Sequence, residues 1–388
     1  MSLGSPLAAR QRQALREYLA LGFVPDTEIA SSYVRDLFAA AQTRDGDPAS
    51  LLVEIVADLT AGASAVVIPL TGGRDSRALL GAALHVFPNR QIHCVTFGPA
   101  GSADVEGARV ACKSARVSHE VIDPDTFEWD LDLVTADIRR PLDARSGVPP
   151  IDGVVAFGTL ARTIPPGLPV LSGFLGDATI GSHLLGEASG EDHARALELF
   201  YSQNSAVLQE RPDAVFYEFL IAHEQLRQSW PALTNFDLLD LGFRQRQRIR
   251  PSVSSTFETA VRPYEDPRWI AHWFSGPLAK RVDYAEYDLI LRRAFPLMFG
   301  RMPLRWRFRR WSARTYGSAM YRGDPRRNPS MAAALEEACR AFDRRDIAAG
   351  QSGSAAFDEL MRRPSASTFE PVRWFATAEM LARAWDLP

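Results

Sequence analysis

The residues best suited to do chemistry form one turn, Thr71–Ser76, with the sequence Thr-Gly-Gly-Arg-Asp-Ser. An apolar run precedes this turn and a helix-like run follows it, so the sequence predicts a strand, a tight turn and a helix. Such a turn directs backbone N–H groups and the positive end of the helix at an anion. Gly72 and Gly73 let the backbone approach phosphate oxygens closely, and the two hydroxyl groups add donors. A carboxylate at this place, Asp75, is repelled by phosphate unless a cation such as Mg²⁺ lies between them.

The turn differs from both common nucleotide-binding loops. A Walker A loop needs Gly-Lys-Ser/Thr, but the only lysines of the chain are Lys113 and Lys280. A dinucleotide fingerprint needs a third, spaced glycine, which is missing. The turn resembles instead the Ser-Gly-Gly-x-Asp-Ser pyrophosphate loop of the ATP pyrophosphatases, with Thr71 in place of the first serine. That resemblance implies cleavage of ATP between its α and β phosphates. The alternative is a plain glycine turn between a strand and a helix.

A second segment, Val170–Gly181, resembles the Ser-Gly-x-Gly-x-Asp-x-x-x-Gly segment of the asparagine synthetase family. Its sequence is Val-Leu-Ser-Gly-Phe-Leu-Gly-Asp-Ala-Thr-Ile-Gly. Taken alone, the segment indicates only a strand–turn–helix junction. Together with the first turn, it indicates the family resemblance. The resemblance implies that Asp75 and Asp177 together hold Mg²⁺ on the phosphates of ATP.

Two further stretches support the same resemblance. Thr96–Gly98, followed by Asp104, Arg109 and His119, resembles the second strand, acidic loop, Ala-Arg helix and third strand of the family. Arg262–Asp266 resembles its Arg-x-Pro-Phe-x-Asp segment, with the arginine one place out of register. We interpret His119 as a structural residue of the sheet. The residues that the resemblance implies around the nucleotide are Leu70, Thr71, Gly72, Gly73, Arg74, Ser76, Thr96 and Gly173.

The chain departs from this family in ways that bear on catalysis. Residues 16–25 resemble the linker that follows the glutaminase domain of relatives, so we expect that domain to be absent. Phe174 replaces a residue that acts near the nucleophile; its ring cannot transfer a proton and suggests an apolar surface against the substrate. Asp288 stands where the family has a pyrophosphate-facing lysine, so Lys280, Arg281 or Arg292 would have to supply the cation. The alternative for Lys280 is a plain surface lysine. The residues thereby implied in catalysis are Asp75, Asp177, Lys280, Arg292 and Glu258, the last standing for a glutamate before the Arg-x-Pro segment.

Composition limits the class of protein. The 388 residues allow a large core, and the net charge of -3 argues against a generally nucleic-acid-binding surface. The three cysteines have neither metal-ligand nor disulfide spacing, so we expect a reducing cytoplasmic setting. No apolar run approaches the roughly 20 residues that cross a membrane.

Hydrophobic patterning predicts an α/β fold. Apolar residues recur at helical spacing over residues 11–21, 32–41 and 50–59, which predicts a helical N-terminal segment, 1–60. Residues 61–190 alternate strands with helices, which predicts a parallel, five-stranded-type sheet covered on both faces. The predicted strands are Ala65–Leu70, Ile92–Phe97, His119–Ile122 and Val170–Ser172. Residues 191–388 carry helical patterns only and are predicted to form a lobe that closes over the site.

These observations predict an AMP-forming amide ligase that uses ATP and Mg²⁺. It would adenylate a carboxylate and pass the acyl group to an amine or to free ammonia. A separate ammonia donor or a carrier protein is a possible partner. Specialised metabolite synthesis fits as well as primary metabolism. Two alternatives remain open: a tRNA-modifying ATP pyrophosphatase, and a non-catalytic descendant that binds a nucleotide and acts through a partner. The arginine- and aromatic-rich residues 301–327 would serve the tRNA alternative, although an amphipathic helix is the simpler interpretation.

Overall fold

The structure is a computed structural model of the whole chain, in which most residues are described. The described residues are 6–41, 46–128, 130–143, 158–182, 184, 192–204, 207–208, 211–251, 259–282, 285–300, 325–348, 350–362 and 366–387.

Five strands form one parallel sheet in the order β3-β2-β1-β4-β5. The strands are β1 (Val66–Pro69), β2 (Ile92–Phe97), β3 (Ser118–Ile122), β4 (Val170–Leu171) and β5 (Ala260–Val261). All neighbouring pairs run parallel, so their carboxyl ends share one edge. The predicted α/β fold with a five-stranded parallel sheet is confirmed, and so are the four predicted strands.

The fifth strand corrects the prediction that only helices follow residue 190. β5 pairs with β4, where Leu171 lies opposite Val261. It is only two residues long and ends before Arg262-Pro263, so it is too short to show the alternation that identifies a strand in a sequence. Its position places Arg262 at the carboxyl edge of the sheet.

Helices pack on both faces of the sheet. In β1, the side chains of Val66 and Ile68 lie in the largest apolar cluster, while Val67 faces a smaller cluster that includes Leu160. A strand buried on both faces explains the unbroken apolar run in the sequence. The first six helices are α1 (Pro6–Leu21), α2 (Thr27–Ala39), α3 (Pro48–Leu59), α4 (Arg74–Val86), α5 (Ala103–Ala115) and α6 (Leu131–Asp143). The later α-helices are Gly176–Thr179, His193–Asn204, Asp213–Ala222, Glu224–Ser229, Asn235–Leu239, Pro267–Phe274, Ala285–Ala294, Pro296–Phe299, Pro329–Asp343, Gly353–Arg362 and Ala366–Ala384.

One helix in the C-terminal region that is predicted to be helical has two parts. An α-helix, Asn235–Leu239, continues as a π-helix, Asp240–Ile249. The wider turn is supported by side chains that reach five residues back, since the Gln245 amide donates to the Asp240 carboxylate at 2.9 Å. π-Helical turns are rare and are frequently found at functional sites.

A second apolar cluster joins α1 to the last three helices. Tyr18 of α1 packs edge-to-face on Trp374 with 5.3 Å between ring centroids, and both side chains belong to this cluster. The helices α2 and α3 pack in the main core instead. Within the part of the chain that the structure describes, no helix is both long enough and apolar enough to cross a membrane.

Candidate functional site

The turn between β1 and α4 is held by its own hydroxyl groups. The Thr71 N–H donates to Ser76 Oγ at 3.1 Å, and the Gly73 N–H donates to Thr71 Oγ1 at 3.0 Å. The Gly72 N–H donates to the carboxylate of Asp104, Oδ1, at 3.2 Å. A Cβ at Gly72 would lie 2.8 Å from the carbonyl oxygen of Ala103, so only glycine fits there. The turn thus already presents a backbone N–H to one oxyanion.

Asp75 lies in the first turn of α4 and is buried. Burial, followed by the charge of Asp177, raises the pKa of Asp75 well above its usual range. The structure therefore brings together the two carboxyl groups that the sequence analysis pairs. Asp75 is buried and Asp177 is exposed to solvent. Among the described residues, no N–H or O–H group reaches Asp75 Oδ1, which is buried without a hydrogen-bond partner.

The loop after β4 is shaped to bring Asp177 to this place. Leu175 has a left-handed backbone with φ 67°, which is unusual for a residue with a side chain. A Cβ at Gly176 would lie 2.4 Å from Asp75 Cγ, so the aspartate side chain fills the space that this glycine leaves. A Cβ at Gly173 would meet Asp75 Cβ at an ordinary 3.6 Å.

Tyr264 contacts the first turn of α4. Its buried hydroxyl donates to the backbone carbonyl of Asp75 at 2.9 Å. This contact joins the segment after β5 to the start of α4. In the sequence, Tyr264 belongs only to the Arg262–Asp266 resemblance, and no pattern there indicates its partner.

Thr96 and Leu70 meet where β1 and β2 end. The Thr96 hydroxyl donates to the Leu70 carbonyl at 2.7 Å and lies 2.8 Å from His119 Nε2. Because the single hydroxyl proton is used on Leu70, we assign the second bond to an N–H of His119. Burial, and then the charge of Arg109, lowers the pKa of His119. These contacts agree with a structural role for His119.

The cations near the turn differ from the expected ones. Arg281 is fully buried and bonded to Asp237, so the expectation that it could meet pyrophosphate is wrong. Lys280 and Arg292 are both exposed. Within the described chain, neither has an ion pair within 4 Å. Asp288, at the place of the family lysine, contacts Arg74 instead, with 2.6 Å between Oδ1 and Nε.

A second arginine of α4 was missed in the sequence. Arg77 is buried, and its guanidinium donates to the carbonyl oxygens of Gly73 at 3.0 Å and Met298 at 2.9 Å. Burial, followed by the charge of Arg74, lowers the pKa of Arg77 to about 10. Its spacing of four residues from Gly73 is the only sequence signal for this contact.

Three predicted features remain to be placed. Phe174 is only 5% exposed and lies in the main apolar cluster, so it forms no exposed apolar surface for a substrate. Glu258 lies outside the described residues, and so do residues 301–324 of the arginine-rich segment.

The carboxyl pair suits one particular kind of metal site. In the described chain, no group of three or more histidine, cysteine, aspartate or glutamate side chains could hold a metal ion. Mg²⁺ is commonly held by one or two carboxylates, with substrate phosphates and waters as its other ligands. The unpartnered Asp75 oxygen beside Asp177 fits that donor set.

Comparisons with known proteins leave the family open. No protein-family model matches this chain, and no curated protein matches it significantly. Among solved structures it is similar to a glutamine-dependent NAD+ synthetase from Acinetobacter baumannii, determined in complex with adenosine diphosphate. That likeness has a TM-score of 0.23 and 14% identity, and it covers 48% of this chain and 35% of the other. A likeness of this size identifies neither a family nor a function.

Proposed function

We propose that this chain is an ATP-dependent ligase that forms AMP and pyrophosphate. It would adenylate a substrate carboxylate and transfer the acyl group to an amine or to ammonia, giving an amide. The observation that carries the proposal is the buried carboxyl group of Asp75, which lies beside Asp177 at the phosphate-type turn and has an oxygen without a hydrogen-bond partner. Stability alone gives no reason for this arrangement, because burial and the neighbouring Asp177 disfavour the charged form of Asp75.

Different residues at this site would bind different parts of Mg²⁺-ATP. Gly72 would offer its N–H to a phosphate oxygen in place of Asp104. Asp75 and Asp177 would hold Mg²⁺, which when bound neutralises the charge of the phosphates. The nucleoside would lie against Leu70, Thr96 and Gly173, which are at the carboxyl ends of three neighbouring strands.

Arg74 is the cation best placed to meet the departing pyrophosphate. It is the first residue of α4, and its side chain is 17% exposed. Asp288 holds its Nε at 2.6 Å, which fixes the guanidinium without enclosing it. Lys280 and Arg292 remain further candidates, since both are exposed. Preorganised cations that meet developing negative charge contribute much of the catalysis in phosphoryl chemistry.

A pyrophosphate-release assay tests the proposal directly. The chain is given Mg²⁺-ATP with panels of carboxylates and amines, beside Asp75→Asn and a control variant, Asp132→Asn, at an exposed carboxylate of α6. We expect release that depends on a carboxylate, is abolished in Asp75→Asn and is unchanged in Asp132→Asn. ATP binding without release from any mixture would contradict the ligase and favour the non-catalytic alternative, which Phe174 and Asp288 motivate. Salt-dependent tRNA binding would favour the tRNA-modifying alternative.

Asp75→Asn should also stabilise the free protein. An amide in place of the buried acid removes the cost of burying a carboxyl group beside Asp177. We therefore expect a higher melting temperature without ligand, although activity is lost. A lower melting temperature would show that Asp75 is a structural residue.

A pair of glycine variants tests the packing of Asp75. A methyl group at Gly176 would have to displace the Asp75 side chain, whereas one at Gly173 makes an ordinary contact of 3.6 Å. We expect Gly176→Ala to lower pyrophosphate release by about 10²-fold, the loss that follows when a catalytic group moves by about 1 Å. Gly173→Ala should have a smaller effect. Equal losses in the two variants would contradict this reading of the packing.

A further inference from the structure

Two arginines bind one glutamate beside the end of β5, and a third arginine lies near the same tyrosine that bonds to this glutamate. Arg262 follows β5 directly, and its Nε donates to Glu265. Arg250, just after the π-helix, donates from Nε to Glu265 Oε1 at 3.0 Å. The same glutamate oxygen accepts a hydrogen bond from the Tyr33 hydroxyl at 2.7 Å. Glu265 is therefore already satisfied by two of these arginines and a tyrosine.

Arg246, the third arginine, differs from the other two in its contacts. It is half-buried on the π-helix, with its guanidinium carbon 5.8 Å from the centroid of the Tyr33 ring. Among the described residues, no carboxylate lies within ion-pair distance of it. The charged groups that act on it are the arginines at 250 and 262 and the glutamate at 265, and burial is the largest cause of its lowered pKa. A partly buried cation without a counter-ion lowers stability.

This arginine cluster (Arg246, Arg250 and Arg262) lies at the same edge of the sheet as the candidate ATP site. The Ser172 N–H donates to the Val261 carbonyl at 2.8 Å, so Arg262 lies about 5 Å, one strand spacing, from the loop after β4. β1 lies one strand further on, so the end of β5 is about 10 Å from the end of β1. Tyr264, between Arg262 and Glu265 in the chain, bonds to the backbone of Asp75.

We propose that the arginine cluster binds an oxyanion, a carboxylate or a phosphate, carried by the acyl substrate. The substrate would then have two anionic ends. One would be adenylated at the ATP site beside Asp75, and the arginine cluster would bind the other. Guanidinium groups suit this task because their planar donors match carboxylate and phosphate oxygens in pairs. The proposal rests on the ligase function for the identity of the substrate, but the oxyanion site itself does not.

The first test measures thermal unfolding of the whole chain, without ATP, in glutarate, in inorganic phosphate and in sodium chloride of equal ionic strength. Arg246→Gln is compared with the wild type and with Arg244→Gln. Arg244 is the matched control, because it lies on the same π-helix and pairs with Asp240 at 3.1 Å.

We expect glutarate or phosphate to raise the melting temperature of the wild type and of Arg244→Gln beyond the effect of chloride. In Arg246→Gln the oxyanion should bind at least tenfold more weakly, and the free variant should melt higher than the wild type. Two results would overturn the proposal: an oxyanion effect retained in Arg246→Gln, or no oxyanion effect in the wild type. The first would show that the oxyanion binds elsewhere. The second, together with a lower melting temperature of Arg246→Gln, would show that the arginines form a purely structural network.

A second test identifies the substrate class in the pyrophosphate assay. Dicarboxylates should support more release than monocarboxylates of equal length, with KM raised at least tenfold in Arg246→Gln. A preference for phosphate-bearing carboxylates would assign the anion as phosphate, whereas equal use of monocarboxylates would overturn the proposal and leave the ligase intact. Asp75→Asn separates the two sites, because it should abolish release and keep the oxyanion effect on melting.

Discussion

Two arginine–aspartate pairs in this molecule have the same chemistry and opposite surroundings. Arg281 and Asp237 are 0% and 5% exposed, and two bonds of 2.8 and 2.9 Å join them. The remaining donors of Arg281 meet the carbonyl oxygens of Ala178, Thr179 and Ala232. The side chains of Arg74 and Asp288 are 17% and 21% exposed, and Arg74 is the first residue of α4.

The contrast separates a structural pair from a functional candidate. Arg281 binds the end of the short helix that carries Asp177 and has no donor left for a ligand. Arg74 pairs with Asp288 and still reaches solvent. Burial and complete hydrogen bonding thus distinguish cations that build the site from cations that can act in it.

Breaking the buried pair should have the largest effect. In Asp237→Ala the buried Arg281 loses its counter-charge, which costs about 3–5 kcal/mol of the free energy of unfolding. Chemical denaturation measures this loss. Asp237 also caps a helix with Thr234, so Thr234→Ala serves as the control and should cost only about 1 kcal/mol. Equal losses in the two variants would mean that the cap, and not the ion pair, is what matters.

Removing the Arg74 side chain should change stability little and lower pyrophosphate release strongly. Arg74→Gln should change the free energy of unfolding by less than about 1 kcal/mol, because partly exposed pairs contribute little. Pyrophosphate release should fall by about 10²–10³-fold, as when one donor to a developing oxyanion is lost. If release were unaffected, the cation would have to be Lys280 or Arg292, and the same assay on variants of those residues would identify it.

Loosening Arg74 without removing it should have the smallest effect. In Asp288→Asn the guanidinium remains but loses its charged partner, so we expect about a tenfold lower kcat and little change in stability. A loss as large as that of Arg74→Gln would show that Asp288 acts on the substrate itself.

The sequence alone predicted the parts of the site that depend on local pattern. β1 and β4 are apolar, β2 and β3 mix apolar with polar residues, and in a parallel sheet the carboxyl ends of the strands must share an edge. That rule, together with the family resemblance, was enough to bring Asp75 and Asp177 together. The pairing needed no knowledge of the helices.

The cations could not be predicted in this way. Arg281 meets Asp237 across 44 residues of chain, and Arg74 meets Asp288 across 214. No periodicity relates residues so far apart, since their contact depends on how helices pack. Phe174 shows the same limit, because its type in a sequence does not reveal whether its ring faces a ligand or the core.

The distance in sequence between Arg74 and Asp288 has a consequence for synthesis of the chain. The turn, its strand and α4 are complete early in translation, but residue 288 leaves the ribosome more than two hundred residues later. β5 joins the sheet only slightly before that. A nascent chain therefore carries this turn through the synthesis of more than two hundred residues before Asp288 can pair with Arg74, so the ion pair at the turn forms only late in translation.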